Sequence, residues 1–304
     1  MSQAPMAVPP MAGRVGLLIN ARSRLGGGAE SAVIAALAQR GQTLDRVVHI
    51  SSPRRLVRTV DALLDQGFGR LIVGGGDGTI STVAARLALR EVDLGVIPLG
   101  TANDFARTLG IPSELSVSAA VAAGGHVRQI DLGRANDVYF VNVASVGMSV
   151  ALTAGLSPRL KRWLGASAYL VAGALAFVRH PTFRARLDSP GGSTEGNVHQ
   201  VIVGNGRFFG GGVLVADGSE LDDGTLAIYT LGGRSRWQLL RTVALLRFQV
   251  PLHRPGDVFL QTPTALLQTQ PQGKRVNLDG ELRTTTPVTF TVVPKALRVL
   301  TPPP

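Results

Sequence analysis

From Arg14 to about residue 125 the chain repeats one pattern. A short aliphatic run comes first, then a loop marked by Gly or Pro, then a segment with apolar positions at helical spacing. Arg14–Ile19 (RVGLLI) leads through NARSRLGGG into a helix from about Ala29 to Arg40, which Gly41 stops. Leu44–Ile50 leads through SSPRR into a helix ending near Gln66, before Gly67. Arg70–Val73 (RLIV) leads through GGGDGT into ISTVAARLAL, and Leu94–Ile97 (LGVI) through PLGTAND into a helix that Gly110 and Pro112 end. Apolar runs alternating with helices build βαβ units, hence a parallel sheet with helices on both faces. Ligands of such sheets gather at the carboxyl ends of the strands, and three of the four loops there are rich in Gly or polar residues.

From about Val127 the pattern changes. VYFVNVAS, HQVIVGNG, TLAIYTL, VFLQTPTALLQT, KRVNLDG and VTFTVV read as short strands separated by turn signals such as DDG, LDG and RPGD. This half is β-rich, its alternation that of an antiparallel sandwich, with helical stretches near 159–178 and 235–247. The boundary falls near residue 129, giving an α/β domain over 1–129 and a β-rich domain over 130–304. Val299–Leu300, before TPPP, is a candidate for one more strand returning to the first domain. The longest apolar run, Trp163–Val178, is shorter than the ~20 residues a spanning helix needs, so it reads as a buried or interfacial helix. Met1–Ala12 carries no charge and two tandem prolines and reads as a loose tail without an export signal.

Composition narrows the classes. A chain of 304 residues fits about two domains, and 45% hydrophobic against 17% charged residues excludes a disordered chain. There is no Cys, which excludes disulfide frameworks, thiolate nucleophiles and Cys-ligated zinc. The net charge is +11, and only three of the 31 basic residues are Lys (Lys161, Lys274, Lys295). Such a balance suits nucleic acid, an anionic membrane surface or a phosphorylated small molecule; it equally suits a plain solvated surface. Aromatics are 5% and interleave with no basic run, which argues against nucleic acid. The five His are isolated, and no G-x-S-x-G occurs, so zinc catalysis and a hydrolase triad find no support.

The sharpest chemical signal is Gly74-Gly75-Gly76-Asp77-Gly78-Thr79, between a buried-type strand and a helix. Its glycines let a phosphate approach the backbone, and the helix start offers unpaired N–H groups. It lacks the third glycine of a dinucleotide fingerprint and the Gly-Lys-Ser/Thr of a P-loop. Asp77 is the telling residue. A carboxylate about 4 Å from a phosphate oxygen costs roughly 4 kcal/mol at an effective dielectric near 20, and a helix N-terminus returns at most about 2 kcal/mol. Either Mg²⁺ stands between Asp77 and the phosphates, or Asp77 simply caps its helix. Pro98–Phe105 (PLGTANDF) repeats the arrangement: Gly100 frees the backbone, Thr101 caps or donates to phosphate, and Asn103 and Asp104 suit a ribose or substrate hydroxyl, the plain alternative being a capped helix start. Two acidic turns follow. Glu220, Asp222 and Asp223, ahead of Thr225, suit a cation or an exposed Asp-Gly turn. In Asn277-Leu278-Asp279-Gly280-Glu281 the last residue suits a general base beyond a hairpin turn, or the turn alone.

Together these residues resemble the diacylglycerol kinase catalytic family, in its soluble bacterial lipid kinase type. The resemblance runs from about Arg14 to Leu300 and rests on GGGDGT (74–79), GVIPLGTANDFARTLGIP (95–112), FVNVASVGMS (140–149), GNGRFFGGG (204–212), LDDGTLAIY (221–229) and NLDGE (277–281). It implies a phosphofructokinase- or NAD kinase-like α/β nucleotide domain with a parallel sheet, a C-terminal β-sandwich, and an active site in the cleft between them. It implies ATP, Mg²⁺ and transfer of the γ-phosphoryl group to a lipid hydroxyl. Asp77 matches the family's catalytic aspartate and Glu281 its proposed general base. Asn20, Gly75, Gly76, Gly78, Thr79, Gly100, Thr101 and Asn103 match the nucleotide loops, with Arg22 or Arg24 in place of an expected Lys and Arg24 carried as the phosphate contact. Glu220, Asp223 and Thr225 match a structural loop for Mg²⁺ or Ca²⁺. The family further implies peripheral contact with an anionic membrane on its cytoplasmic face, no nucleic acid, and room for a homodimer. The chain departs at NARSRLGG, where the family has Asn-Pro and a small residue before Gly, and at Ser81-Thr82, where it has Asn-Glu. The competing readings are an NAD kinase-like phosphotransferase with a soluble acceptor and a non-catalytic nucleotide or lipid binder.

Overall fold

The computed structural model describes residues 13–20, 29–147, 181–205, 208–209, 213–214, 221–232 and 258–303. The readings placed on the 1–12 tail, the helical stretches near 159–178 and 235–247, the apolar run at 163–178, Arg22, Arg24 and Glu220 lie outside these residues. The described chain divides into two compact units. One reaches Leu132 and takes in the tail from Val293; the other runs from Gly133 to Val292.

The first unit follows the alternation of its sequence: β1 (Arg14–Asn20), α1 (Ala29–Gln39), β2 (Arg46–Ile50), α2 (Pro53–Asp65), β3 (Phe68–Gly75), α3 (Asp77–Leu87), β4 (Asp93–Pro98), α4 (Asp104–Thr108), α5 (Leu115–Gly124) and β5 (His126–Ala135). β1 lies parallel to β2 and β3, and β3 parallel to β4. Local chemistry sets the helices. In α2, Ser52 Oγ accepts the Arg55 N–H at 3.3 Å, Pro53 opens the first turn, Leu56, Val60 and Leu63 are buried, and Gly67 turns the chain away at φ 74°. α1 and α5 pack together over Leu17, Ile19, Ile72 and Ile97, while α2 packs on α3 and both on β3. Leu18, Leu71 and Val73 point to the opposite face from Leu17 and Ile72 and are equally sealed. The sheet is therefore covered on both sides.

α5 has no counterpart in the sequence reading. Its segment, LSVSAAVAAG, shows no amphipathic stripe. It is made of small residues because it lies close on β4: a Cβ on Gly95 would stand 3.2 Å from Ala122 Cβ.

The last strand, β17 (Val288–Thr301), ends in this unit. Arg298 stands opposite Asp93 and Val299 opposite Leu94, in parallel with β4. Arg298 Nε donates to Asp93 Oδ1 at 2.8 Å, with Asp93 wholly buried. Arg70, across from Asp93 on β3, has its pKa lowered by burial, an effect that the nearby Asp93 charge opposes. Asp131 Oδ1 on β5 accepts the N–H of Lys295 at 2.8 Å.

The second unit contains β6 (Val138–Phe140), β7 (Val143–Gly147), β8 (Phe183–Ser189), β9 (Gly192–Gly204), β10 (Phe208–Phe209), β11 (Val213–Leu214), β12 (Leu226–Gly232), β13 (Phe259–Thr262), β14 (Thr264–Gln270), β15 (Arg275–Leu278) and β16 (Glu281–Thr285). β9 serves two neighbourhoods. Its first half pairs with β8, and its second half runs antiparallel between β7 and β12. Val146, Val201, Ile228 and Val276 share one core with Leu187, Leu267 and Phe290, and Phe140 meets Phe290 edge-on at 6.4 Å. This is a β-sandwich. The sequence reading found only the second half of β9, because Gly192–Asn197 is exposed on every residue and carries no apolar alternation. No helix among the described residues is long and apolar enough to cross a membrane.

Candidate active site

Beside the end of β1, the loop after β3 (the second loop) meets the loop after β4 (the third loop) at the carboxyl ends of the strands. Asn20, the last residue of β1, donates from Nδ2 to Thr79 Oγ1 at 2.8 Å, which joins the end of β1 to the first turn of α3. Gly75 C=O accepts the Leu99 N–H at 2.9 Å, which joins the second loop to the third. Gly76 and Gly100 then touch through backbone alone: a Cβ on Gly100 would stand 2.6 Å from Gly76 Cα. Only two glycines allow this approach. Asn103, in the left-handed region at φ 51°, closes the third loop; its Oδ1 accepts the Gly100 N–H at 2.9 Å and its Nδ2 donates to Gly100 C=O at 3.2 Å.

Asp77 does not cap its own helix. Gly76 is the N-cap of α3 and Asp77 lies in the first turn. Its Oδ2 accepts the Asn103 N–H at 2.8 Å and its Oδ1 the Phe105 N–H at 3.3 Å, so the carboxylate spans from one loop to the start of the next helix. Two helix N-termini thus stabilise its charge, each by about 0.3–1 kcal/mol, and the two charge-assisted bonds add about 1.5–3 kcal/mol apiece. The carboxylate has about four acceptor positions and these bonds use two, so a cation can be held as well. Around it, Gly78 is exposed with nothing within 4 Å of a built Cβ, and Thr101 is exposed. The Thr79 and Ile80 N–H groups go to Gly76 C=O at 2.9 and 3.1 Å, and the Asp77 and Gly78 N–H groups ahead of them have no intrahelical acceptor. An open backbone cradle, a helix start and a half-buried carboxylate make a donor set that fits a polyphosphate carrying Mg²⁺. One N–H and one lone pair of the Asn103 amide go to Gly100.

In the second unit, Glu281 opens β16, is about half exposed, and pairs with Arg283. Asp279 is the residue that sequence reasoning missed. In the left-handed region at φ 47°, it accepts three backbone N–H groups: Val141 at 2.7 Å, Asn142 at 2.9 Å and Val143 at 3.0 Å. The Asp-Gly pair announced a hairpin turn; nothing local announced a partner 136–138 positions away. Asp223 is exposed, and its Oδ1 accepts the Thr225 N–H at 2.9 Å and the Thr225 hydroxyl at 2.8 Å. Among the described residues no group of three or more His, Asp or Glu is placed to hold a metal.

The chain thus carries a parallel α/β unit, with glycine loops at its strand ends, followed by an antiparallel sandwich. The family described as "Diacylglycerol kinase catalytic domain" matches residues 14–135, and the one described as "YegS C-terminal NAD kinase beta sandwich-like domain" matches residues 142–301. A protein of Pseudomonas aeruginosa described as "Probable lipid kinase YegS-like" is 36% identical over 248 residues, covering 81% of this chain and 80% of its own. One of Shewanella frigidimarina with the same description is 30% identical over 292 residues, covering 94% and 93%. The crystal structure of a diacylglycerol kinase from Bacillus anthracis superposes with a TM-score of 0.78 over 95% of this chain and 97% of that one; at 24% identity this is a likeness of fold. The chain belongs to the YegS-like lipid kinases of the diacylglycerol kinase catalytic family. Membership supports an ATP-dependent phosphotransferase of lipid-kinase type and implies dependence on nucleotide and metal.

Proposed function

We propose that this protein transfers the γ-phosphoryl group of ATP to a lipid hydroxyl at an anionic membrane surface. The observation that carries the reading is the Asp77 carboxylate, fixed by the Asn103 and Phe105 N–H groups where the Gly76 and Gly100 loops touch. Gly75, Gly76, Gly78 and the start of α3 receive the phosphates. Asn20 holds Thr79 in place, and Thr101 and Arg24 supply further contacts. Mg²⁺, when bound, offsets the charge of the transferring phosphoryl group, and Asp77 is the residue that would hold it. Glu281 accepts the proton of the attacking hydroxyl, and Arg283 beside it disperses negative charge. Glu220, Asp223 and Thr225 would hold a second, structural ion, Mg²⁺ or Ca²⁺. The net charge of +11 favours docking from the cytoplasm on an anionic leaflet.

Labelled ATP incubated with diacylglycerol, ceramide, a sphingoid base and phosphatidylglycerol in mixed micelles tests this. Label should enter lipid. Label entering only a soluble acceptor would instead make the protein an NAD kinase-like phosphotransferase, and binding without turnover would make it a nucleotide or lipid binder. Asp77→Asn keeps the side chain's size but turns its NH₂ towards one of the two backbone N–H groups that Asp77 accepts, and should lower turnover by about 10²–10³-fold; undiminished turnover refutes the role given to Asp77.

A further inference from the structure

The turn between β6 and β7 is held at every backbone group. The N–H groups of Val141, Asn142 and Val143 all go to the Asp279 carboxylate. Val141 C=O accepts Asn205 Nδ2 at 3.0 Å, Asn142 C=O accepts the Asn205 N–H at 2.9 Å, and Val143 C=O accepts the Asp279 N–H at 2.9 Å. Inside this frame Asn142 is 5% exposed, and among the described residues its Oδ1 is sealed from water with no hydrogen-bond partner. A sealed, unmet amide oxygen carries its full desolvation cost. An aliphatic residue there would remove that cost. Among the described residues nothing requires an amide side chain at 142, because the turn is held through its backbone groups, by Asp279 and Asn205. Nδ2, the donor end of the same amide, is the atom that a ligand oxygen would meet.

The same turn is tied to Glu281. Asp279, which grips the Asn142 N–H, stands two residues before it, and Leu278 is paired both with Ala144 on β7 and with Glu281 on β16. Resting on the lipid-kinase reading above, we infer that Asn142 is a positioning residue for the acceptor: its Nδ2 donates to the oxygen of the lipid hydroxyl whose proton Glu281 takes. That bond occupies one lone pair and turns the O–H towards the carboxylate, leaving the other lone pair for phosphorus. In the step, the O–H bond breaks and its proton passes to Glu281. A bond forms from the lipid oxygen to the γ-phosphorus, and the bond from that phosphorus to the bridging oxygen breaks, so ADP leaves. The acceptor class this selects is a headgroup with an unhindered hydroxyl oxygen able to accept a hydrogen bond while it gives up its proton.

Asn142→Leu removes the amide, and Asn142→Asp keeps its shape without a donor. Both should lower kcat/KM for diacylglycerol in mixed micelles by about 10²-fold, the effect of deleting one aligned donor, with KM for ATP unchanged. Asn142→Leu should keep or raise the thermal midpoint. A midpoint that falls while the kinetic constants for ATP and lipid move together would show a structural role only and overturn the inference, as would unchanged lipid kinetics in either folded variant. If Asn142→Leu does not fold, Asn142→Asp and Asn142→Thr carry the same comparison. Binding to diacylglycerol micelles with ADP, without turnover, separates the two claims. If the parent phosphorylates no lipid, the lipid-kinase reading fails. Weaker micelle binding by the variants than by the parent then still supports a contact from Asn142, and equal binding overturns it.

Discussion

The contact between Gly76 and Gly100 makes a sharp test of the nucleotide cradle. A methyl group on Gly100 would stand 2.6 Å from Gly76 Cα and 2.7 Å from Asn103 Oδ1. Carbon atoms pack best at about 3.5–4.0 Å, so Gly100→Ala must part the loops by about 1 Å. Neither neighbour gives way cheaply: one is backbone, and the other is the amide that holds Gly100's own N–H and C=O. Overpacking of this kind costs about 1–3 kcal/mol. The shift reaches Asp77, whose carboxylate is anchored on the Asn103 and Phe105 N–H groups. A displacement of about 1 Å among reacting groups costs about 10²-fold in rate. Gly78→Ala is the contrasting variant. A Cβ there meets nothing within 4 Å, and alanine in place of glycine favours a helix by up to about 1 kcal/mol. Its methyl nevertheless enters the space assigned to the phosphates. Thermal unfolding and initial rates with labelled ATP decide both cases. Gly100→Ala should lose midpoint and kcat together, whereas Gly78→Ala should keep or gain midpoint and raise KM for ATP. A Gly100→Ala protein with parental midpoint and rate would refute the loop contact, and an unaltered KM in Gly78→Ala would remove the nucleotide from this turn.

Three further outcomes follow from the geometry. Asp279→Ala leaves three backbone N–H groups without their acceptor and should destabilise the second unit by about 3–5 kcal/mol, read by urea unfolding; a loss under about 1 kcal/mol would mean that water replaces the carboxylate. Arg298→Leu takes its guanidinium partner from a wholly buried Asp93 and should cost about 3–5 kcal/mol, most of it recovered by adding Asp93→Leu, which is read from the same unfolding curves. Tyr229 is 8% exposed and burial raises its pKa. The folded state therefore resists its ionisation, so stability is full below about pH 10 and declines as pH rises above that value. Tyr229→Phe should flatten that decline in a pH series of thermal midpoints, and an identical alkaline slope in the variant would exclude Tyr229 as its source.

The chain order alone carried the class of each half. RVGLLI, RLIV and LGVI are strands without polar alternation because both faces of their sheet are covered, and such runs between helical segments dictate a parallel sheet. The glycines at 76 and 100 stood out in the sequence, but that their backbones touch, an approach that admits no Cβ, was decided by the fold. The alternation of β14, buried at Ala265, Leu267 and Thr269, marked a half-buried antiparallel strand. Elements without a periodic signal were not legible: α5, built from alanines for close packing on β4, and the exposed first half of β9.

What tertiary structure alone decided was the partners of the polar side chains. Asp77 reads from its position either as a Mg²⁺ ligand or as the cap of its own helix; in the fold it bonds 26 and 28 positions ahead, to Asn103 and Phe105. Asp279 reads as an ordinary turn residue and instead organises Val141–Val143. Val299–Leu300 reads as a candidate strand returning to the first domain; its place beside β4, with the buried Arg298–Asp93 pair, is settled only in the fold. Hydrophobic periodicity is a local property, written over a few successive residues, and so it survives in one dimension. A hydrogen bond depends on where two distant groups come to rest, and that is settled only when the chain has folded.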